Sequence, residues 1–309
     1  MHARHVLVTG GSGFLGSSIV RRLLAADASV FVTILDRKIP ATVLEEFPGR
    51  IRHDARSISE FLAAPRDWQF ETIIHMAWAS HPATSMKFPV QDLDANVSLG
   101  IRLLESCARL GARRLIFSSS GGTVYGELNC ERASENHPTN PVSIYGAAKL
   151  AFESYGRVIG RRDGFDVVSL RITNPYGPYQ LRGVPVGSIA NFLLAARADR
   201  PITLFGDGSI VRDYISADDV AEAFCLAARV PDLAPGPYNI STGIGSSLSQ
   251  IIELVEQVSG RGLMVDRQPN RGFDVPRNVL EWNLFGSATG WRPTISLDKG
   301  VATMWDFLK

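Results

Sequence analysis

The chain has 309 residues, enough to bury a large core and at the size where one folding unit often becomes two. Its 45% hydrophobic and 20% charged residues are those of an ordinary globular protein, and a formal net charge of +1 gives no electrostatic case for nucleic acid or an anionic membrane. No apolar run approaches a membrane span and no signal-peptide pattern precedes the first strand. The three cysteines, Cys107, Cys130 and Cys225, lack metal-ligand spacing, so a cytoplasmic protein without disulfides or metal is expected.

Residues 5–9 form a β-branched run that enters Gly10-Gly11-Ser12-Gly13-Phe14-Leu15-Gly16 directly. A helical pattern follows, with Leu15, Ile19, Leu23 and Leu24 on one side, and then a second strand at 30–35 ending at Asp36. This is a βαβ unit with glycines at 10, 13 and 16 in its first turn. Such glycines let the backbone approach a pyrophosphate at a helix N-terminus, where unpaired N–H groups and the dipole favour an anion. Asp36 falls twenty residues after Gly16, where an acid binds both adenosine ribose hydroxyls and repels a 2′-phosphate. The expected cofactor is therefore NAD; Arg37, which could pair with a 2′-phosphate, weakens that preference over NADP.

The alternation continues with a strand at 50–53 ending at Asp54, a short helix at 57–64 and a strand at 72–77 that runs into Trp78-Ala79-Ser80-His81. One long helix is expected over 92–110. It carries two apolar stripes, Val97, Ile101, Leu104 and Ala108 on one side and Leu99, Leu103, Cys107 and Leu110 on the other. One side should cover the sheet, and the other should meet either a second subunit or a neighbouring helix. A fifth strand at 114–117 delivers Ser118-Ser119-Ser120. Strand, helix and strand repeated this way mean a parallel sheet covered on both faces, with ligands off the carboxyl ends of its strands.

After a polar loop at 126–141 comes Ser143-Ile-Tyr145-Gly-Ala-Ala-Lys149. On a helix Tyr145 and Lys149 share a face. A phenol with an unperturbed pKa of ~10 is a poor base at neutral pH. An ammonium beside it favours the phenolate, making a tyrosine that can take a proton from an alcohol. A sixth strand at 166–172 ends before Thr173-Asn174-Pro175-Tyr176-Gly177-Pro178, and the alternation then loosens. Helices are expected at 187–198, 217–228 (capped by Ser216) and 248–259, a strand at 202–205, and a last short helix from about 297. The fold class is α/β, a Rossmann-type doubly wound parallel sheet with a smaller interleaved α/β substrate domain. The expected division is 1–175 for the NAD-binding domain, with 206–230 returning to it, and 176–309 for the smaller one.

Gly-x-x-Gly-x-x-Gly, the strand-end acid, the serine run, Tyr-x-x-x-Lys and Arg212-Asp-Tyr-Ile in this order resemble the extended short-chain dehydrogenase/reductases, above all nucleotide-sugar enzymes of the UDP-glucose 4-epimerase type. The resemblance runs from Val6 to Gly290-Trp291-Arg292-Pro293. It implies an NAD site formed by Gly10, Gly13, Phe14, Leu15, Gly16, Asp36, Arg37, Asp54 against the adenine, Ala55, Met76, Ala77, Ala79, Asn96, Ser118, Ser119 and Ile172. It implies Tyr145 as base and Lys149 bridging to the nicotinamide ribose. For the nucleotide sugar it implies Ser120, Thr123, Asn174, Ser188, Arg212 and Arg271, and for the assembly a homodimer through a four-helix bundle.

Two departures stand out. The Ser or Thr usual four residues before the Tyr of Val-Tyr-Gly is here Gly121, counted back from Tyr125. Counting from the strand instead puts Ser120 in the catalytic place, with Ser119 and Thr123 as alternatives. The second departure is Trp78, where a small residue is commoner. Reversible oxidation at C4 of a UDP-hexose or UDP-N-acetylhexosamine is the expected reaction. A reductase of a 4-keto sugar uses the same Tyr and Lys, and a non-catalytic NAD-binding protein would be expected to lose them. A 4,6-dehydratase is disfavoured, because Gly and Thr stand where that activity needs Asp-Glu.

Overall fold

The computed structural model describes residues 4–39, 41–64, 68–182, 187–270 and 274–309. Short Val-, Ile- and Leu-rich runs form strands buried on both faces, and amphipathic segments between them form the covering helices. In chain order these are β1 (Arg4–Thr9), α1 (Phe14–Ala26), β2 (Val30–Leu35), α2 (Ala41–Glu46), β3 (Ile51–Asp54), α3 (Ile58–Ala63) and β4 (Thr72–His75). Short helical pieces follow: α4 (Pro82–Lys87), α5 (Pro89–Asp92), a π-helical turn (Leu93–Ser98) and α6 (Leu99–Ser106). Then come β5 (Arg114–Ser120), α7 (Ile144–Asp163), β6 (Asp166–Ile172), β7 (Asn174–Tyr176), a 3-10 turn (Pro178–Arg182), α8 (Ser188–Ala198), β8 (Ile202–Phe205) and β9 (Val211–Ser216). The last part holds α9 (Ala217–Arg229), β10 (Gly236–Ile240), β11 (Gly245–Ser247), α10 (Leu248–Ser259), β12 (Val265–Gln268), β13 (Arg277–Asn278), α11 (Asn283–Thr289) and α12 (Leu297–Leu308).

Seven strands form one sheet in the order β10-β6-β5-β4-β1-β2-β3, and every neighbouring pair is parallel. This is the doubly wound architecture expected from the sequence. One apolar cluster packs α1 and α9 on one face through Ile19, Leu23, Val220 and Phe224; another packs α6 and α7 on the opposite face through Leu103, Leu104, Phe152 and Ile159. A third, separate cluster joins α8, α10 and α12 through Leu193, Ile251, Val255 and Met304. The remaining strands form two small sheets, β11-β9-β13 with β7 beside β9, and β12-β8.

Three features differ from the sequence reading. Strand β10 had no counterpart in it, because Gly236-Pro237 reads as a breaker; an edge strand tolerates proline, and β10 is the sheet's edge. Of the 206–230 stretch, β9 pairs in a small sheet, while α9 packs on α1 and leads to β10. Arg114, buried at the start of β5, ties down that return by donating to the carbonyls of Ala227 (2.8 Å), Val230 (2.7 Å) and Pro231 (2.9 Å).

The expected single helix over 92–110 is the third. It is a π-helical turn followed by the eight-residue α6. Both its apolar sides are engaged within the chain, since α6 packs against α3 and α7. Exposed apolar residues include Val90 (69%), Leu93 of the π-helical turn (49%), and Tyr155 and Val158 of α7 (49% and 61%). Among the described residues no helix is long and apolar enough to cross a membrane.

Candidate active site

The parallel sheet brings the ends of β1, β2, β4, β5 and β6 to one edge, and the candidate residues gather there. Helix α1 is preceded by Gly13 at its N-cap, which has no side chain to bond the first turn, and no acid sits in that turn. Its first N–H groups thus keep an anion-binding end. A Cβ on Gly16 would collide with the Gly10 carbonyl and lie 2.8 Å from Gly11 Cα, so the turn can be this tight only with glycine. Phe14 and Leu15 are half-buried in the first turn.

Asp36, at the end of β2, accepts the Ser12 backbone N–H at 3.3 Å and the Ser12 hydroxyl. Ser12 was not singled out in the sequence, although its place inside the glycine run was the available signal. Arg37 is exposed. Asp54, expected against the adenine, is buried, and Arg56 takes its carboxylate with both Nε (2.9 Å) and Nη2 (2.6 Å). Ala55 beside it is exposed. Met76 and Ala77 are half-buried at the exit of β4, and the Ala79 N–H donates to Asn96 Oδ1 at 2.7 Å. The π-helical turn presents Asn96, a buried residue that also donates to Asp92 Oδ1 at 3.1 Å.

Helix α7 is capped by Ser143, whose hydroxyl accepts from the Gly146 N–H at 3.1 Å. Tyr145 sits in its first turn, and its N–H donates to Ser85 Oγ at 3.1 Å. Lys149, one turn on, is 2% exposed and donates to the Ser118 carbonyl at 2.7 Å. The two side chains do share a face, with Lys149 Nζ 5.4 Å from the Tyr145 ring centre. The expected depression of the phenol is not seen in the protein by itself. Burial first, and the Asp92 carboxylate second, push the Tyr145 hydroxyl above its ordinary value. Burial pushes Lys149 well down, against Glu153 and Asp92, which raise it.

Of the three candidate hydroxyls, Ser119 is committed elsewhere: it is buried and donates to Glu153. Ser120 ends β5 beside Ile172 of β6 and is partly open. Thr123 Oγ1 is buried without a partner among the described residues, and the Thr123 carbonyl lies against Gly146 at the start of α7. The missing hydroxyl at 121 has a steric reason, since a Cβ there would lie 2.5 Å from Leu280 Cδ1 and 2.8 Å from the Arg171 carbonyl.

On the other side of the edge, Asn174 opens β7 and donates to the Asp213 carbonyl at 3.4 Å. Ser188, the first residue of α8, shares a 2.9 Å hydrogen bond with the Tyr214 hydroxyl. Arg212 on β9 donates to the Val275 carbonyl at 2.8 Å, with Asp274 at 3.8 Å. Arg271 lies outside the described residues. Sequence reasoning did not reach Asp92 or His75. His75 is buried, bonded through Nδ1 to Thr9 Oγ1 at 2.8 Å, and burial pushes it down to about 3. No motif spacing marks them: Asp92 closes α5 and bonds to Asn96, and His75 ends β4 and bonds to Thr9.

Taken together, the uncapped helix end, the acid closing β2 and the Tyr–Lys pair define a dinucleotide-dependent α/β enzyme of the extended short-chain dehydrogenase/reductase type. The model of the NAD dependent epimerase/dehydratase family matches residues 6–241, and the chain belongs to that family, whose cofactor is NAD. The chain is 31% identical to the putative UDP-glucose 4-epimerase of Methanocaldococcus jannaschii, with 98% of each chain covered. It is 29% identical to a dTDP-4-dehydro-6-deoxyglucose reductase of Escherichia coli, over 96% of this chain and 95% of that one. In structure it is similar to the UDP-glucose 4-epimerase of Thermus thermophilus in complex with NAD, with a TM-score of 0.88, 35% identity and 98% of each chain covered.

Proposed function

We propose that the protein is an NAD-dependent 4-epimerase of a nucleotide-diphosphate sugar, a UDP-hexose or UDP-N-acetylhexosamine, working through a 4-keto sugar. The observation that carries this reading is Lys149, buried and anchored to the Ser118 carbonyl, one turn from Tyr145 at the sheet edge that α1 opens with an uncapped N-terminus. Tyr145 takes the proton of the C4 hydroxyl, Ser120 or Thr123 orients that hydroxyl, and Lys149 balances the phenolate. NAD, when bound, would supply the hydride acceptor and donor at C4, and its positive charge would add to that of Lys149 in favouring the phenolate. Gly10, Gly13, Gly16 and Asp36 would hold it, and Asn96 fixes the Ala79 backbone alongside. Asn174, Ser188, Arg212 and Arg271 would keep the nucleotide diphosphate while the keto sugar turns over. General-base help of this kind contributes ~10²–10⁴-fold, with positioning supplying much of the rest.

The exposed apolar residues Val90, Leu93, Tyr155 and Val158 support a homodimer built on the π-helical turn and α7. Similarity to the 4-keto-sugar reductase supports a second reading, reduction without return of the hydride. Asp36 counts against an NADPH-dependent version. The test is to identify the nucleotide released on denaturation and then to incubate fresh enzyme with UDP-glucose and UDP-N-acetylglucosamine. Released NAD with C4-inverted product is expected; stoichiometric NADPH consumption on a keto sugar would overturn it.

A further inference from the structure

Trp78 stands where a small residue is commoner, and its surroundings give the change a purpose. Lys149 Nζ lies 3.9 Å from the Trp78 ring centre, nearer than to Phe117 (4.7 Å) or Tyr145 (5.4 Å). The indole meets the Tyr145 ring edge-on at 6.3 Å and 76°. Phe117 at 5.6 Å and Phe152 at 6.3 Å back it. Trp78 Nε1 is buried without a hydrogen-bond partner among the described residues, so packing against these rings and the ammonium, not its N–H, sets its orientation.

We propose that Trp78 is a positioning residue of this site, its ring face holding the Lys149 ammonium charged and in place beside Tyr145. The proposal rests on the reading of Tyr145 as base and Lys149 as its partner.

The other groups facing Lys149 leave room for this role. From β5 it has the Ser118 carbonyl, and from its own helix Tyr145 and Glu153. Glu153 is shared with Arg171 of β6 and with Ser119. Asp92 of α5 attracts it and is hydrogen-bonded to Asn96. His75 of β4, pushed down to about 3, carries no charge at neutral pH. Lys149 is thus held by the Ser118 carbonyl, with Glu153 engaged by Arg171 and Ser119, and Asp92 engaged by Asn96 through Oδ1 while its Oδ2 is buried without a partner among the described residues. A cation over an aromatic face is attracted by the ring quadrupole, most strongly by tryptophan and most when desolvated. Removing the face makes Lys149 easier to deprotonate, and the loss of that charge raises the Tyr145 ionisation.

The test reads Tyr145 ionisation directly, as tyrosinate absorbance of the NAD-bound protein against a Tyr145→Phe reference. Trp78→Leu is expected to move the titration up by about one unit, with kcat/KM at neutral pH falling about tenfold, in kcat and not in KM. Trp78→Phe should restore part of the shift. Mono-, di- and trifluorotryptophan placed at 78 keep the shape while draining the quadrupole, so the titration should climb in step with fluorination even if the leucine variant does not fold. A titration indifferent to fluorination, or a phenylalanine variant no better than leucine, overturns the proposal. The measurement needs no turnover, so inactivity on UDP-sugars would count against the proposed reaction and not against Trp78.

Discussion

Arg171 grips Glu153 from two sides of its guanidinium, with Nε at 3.1 Å from Oε1 and Nη2 at 2.7 Å from Oε2, both side chains less than a tenth exposed. The same carboxylate takes the Ser119 hydroxyl, and Arg171 Nη1 donates to the Tyr125 hydroxyl at 2.9 Å, which passes on to Asn239 Oδ1 at 2.6 Å. The pair therefore knits β5, β6, β10 and α7 beneath the proposed catalytic residues. Breaking such a pair on one side leaves an uncompensated buried charge and costs about 3–5 kcal/mol. Arg171→Met should lower the free energy of unfolding by about that much in urea denaturation, and Arg171→Met with Glu153→Gln by clearly less than the sum of the two single changes.

His75 gives a pH signature. Its folded value, about 3, lies below the unfolded value of 6.5, so its contribution to stability is complete above 6.5 and is lost as pH falls toward 3. Unfolding free energy should drop by about 1 kcal/mol per pH unit between pH 7 and pH 5 from this group alone. His75→Asn should flatten the slope, measured as the urea midpoint between pH 7 and pH 5.

Asp36 is expected to set cofactor choice, with Ser12 holding its carboxylate in place. Replacing Asp36 with Ser removes both the charge-assisted bonds to a ribose and the repulsion of a 2′-phosphate, leaving Arg37 to favour it. The ratio of NAD to NADP affinity should fall by about 10–100-fold in calorimetric titration, most of it through weaker NAD binding.

The catalytic hydroxyl is open to a paired comparison. Ser120→Ala should lower kcat by about 10²-fold or more and Thr123→Ala by less than tenfold, in assays with UDP-glucose. The reverse ranking would assign the role to Thr123, whose buried, unpartnered Oγ1 makes it the serious competitor.

Most of the large sheet was legible because its physics is local. A β-branched run followed by glycines, or a 3.6-residue apolar stripe, announces itself; α9 and its Ser216 cap, for example, fall at the expected place. Strand β10 was hidden because its pairing partner β6 lies far back in the chain and its own Gly-Pro says turn. The split of the 92–110 helix was hidden for another reason: the π-helical turn carries Asn96, bonded to the Ala79 N–H across the site, and no periodicity encodes such a pairing. In the site, Tyr145 and Lys149 could be paired from spacing, yet burial raises one and lowers the other, and the rings around them, Trp78 and Phe117, converge only in three dimensions.

The late arrival of β10 bears on how the polypeptide matures. During synthesis β6 emerges well before Gly236, and until then one margin of the sheet stays open with its amides and carbonyls unmatched. A nascent chain stalled in α9 should therefore be the species most prone to self-association and the one a chaperone holds longest.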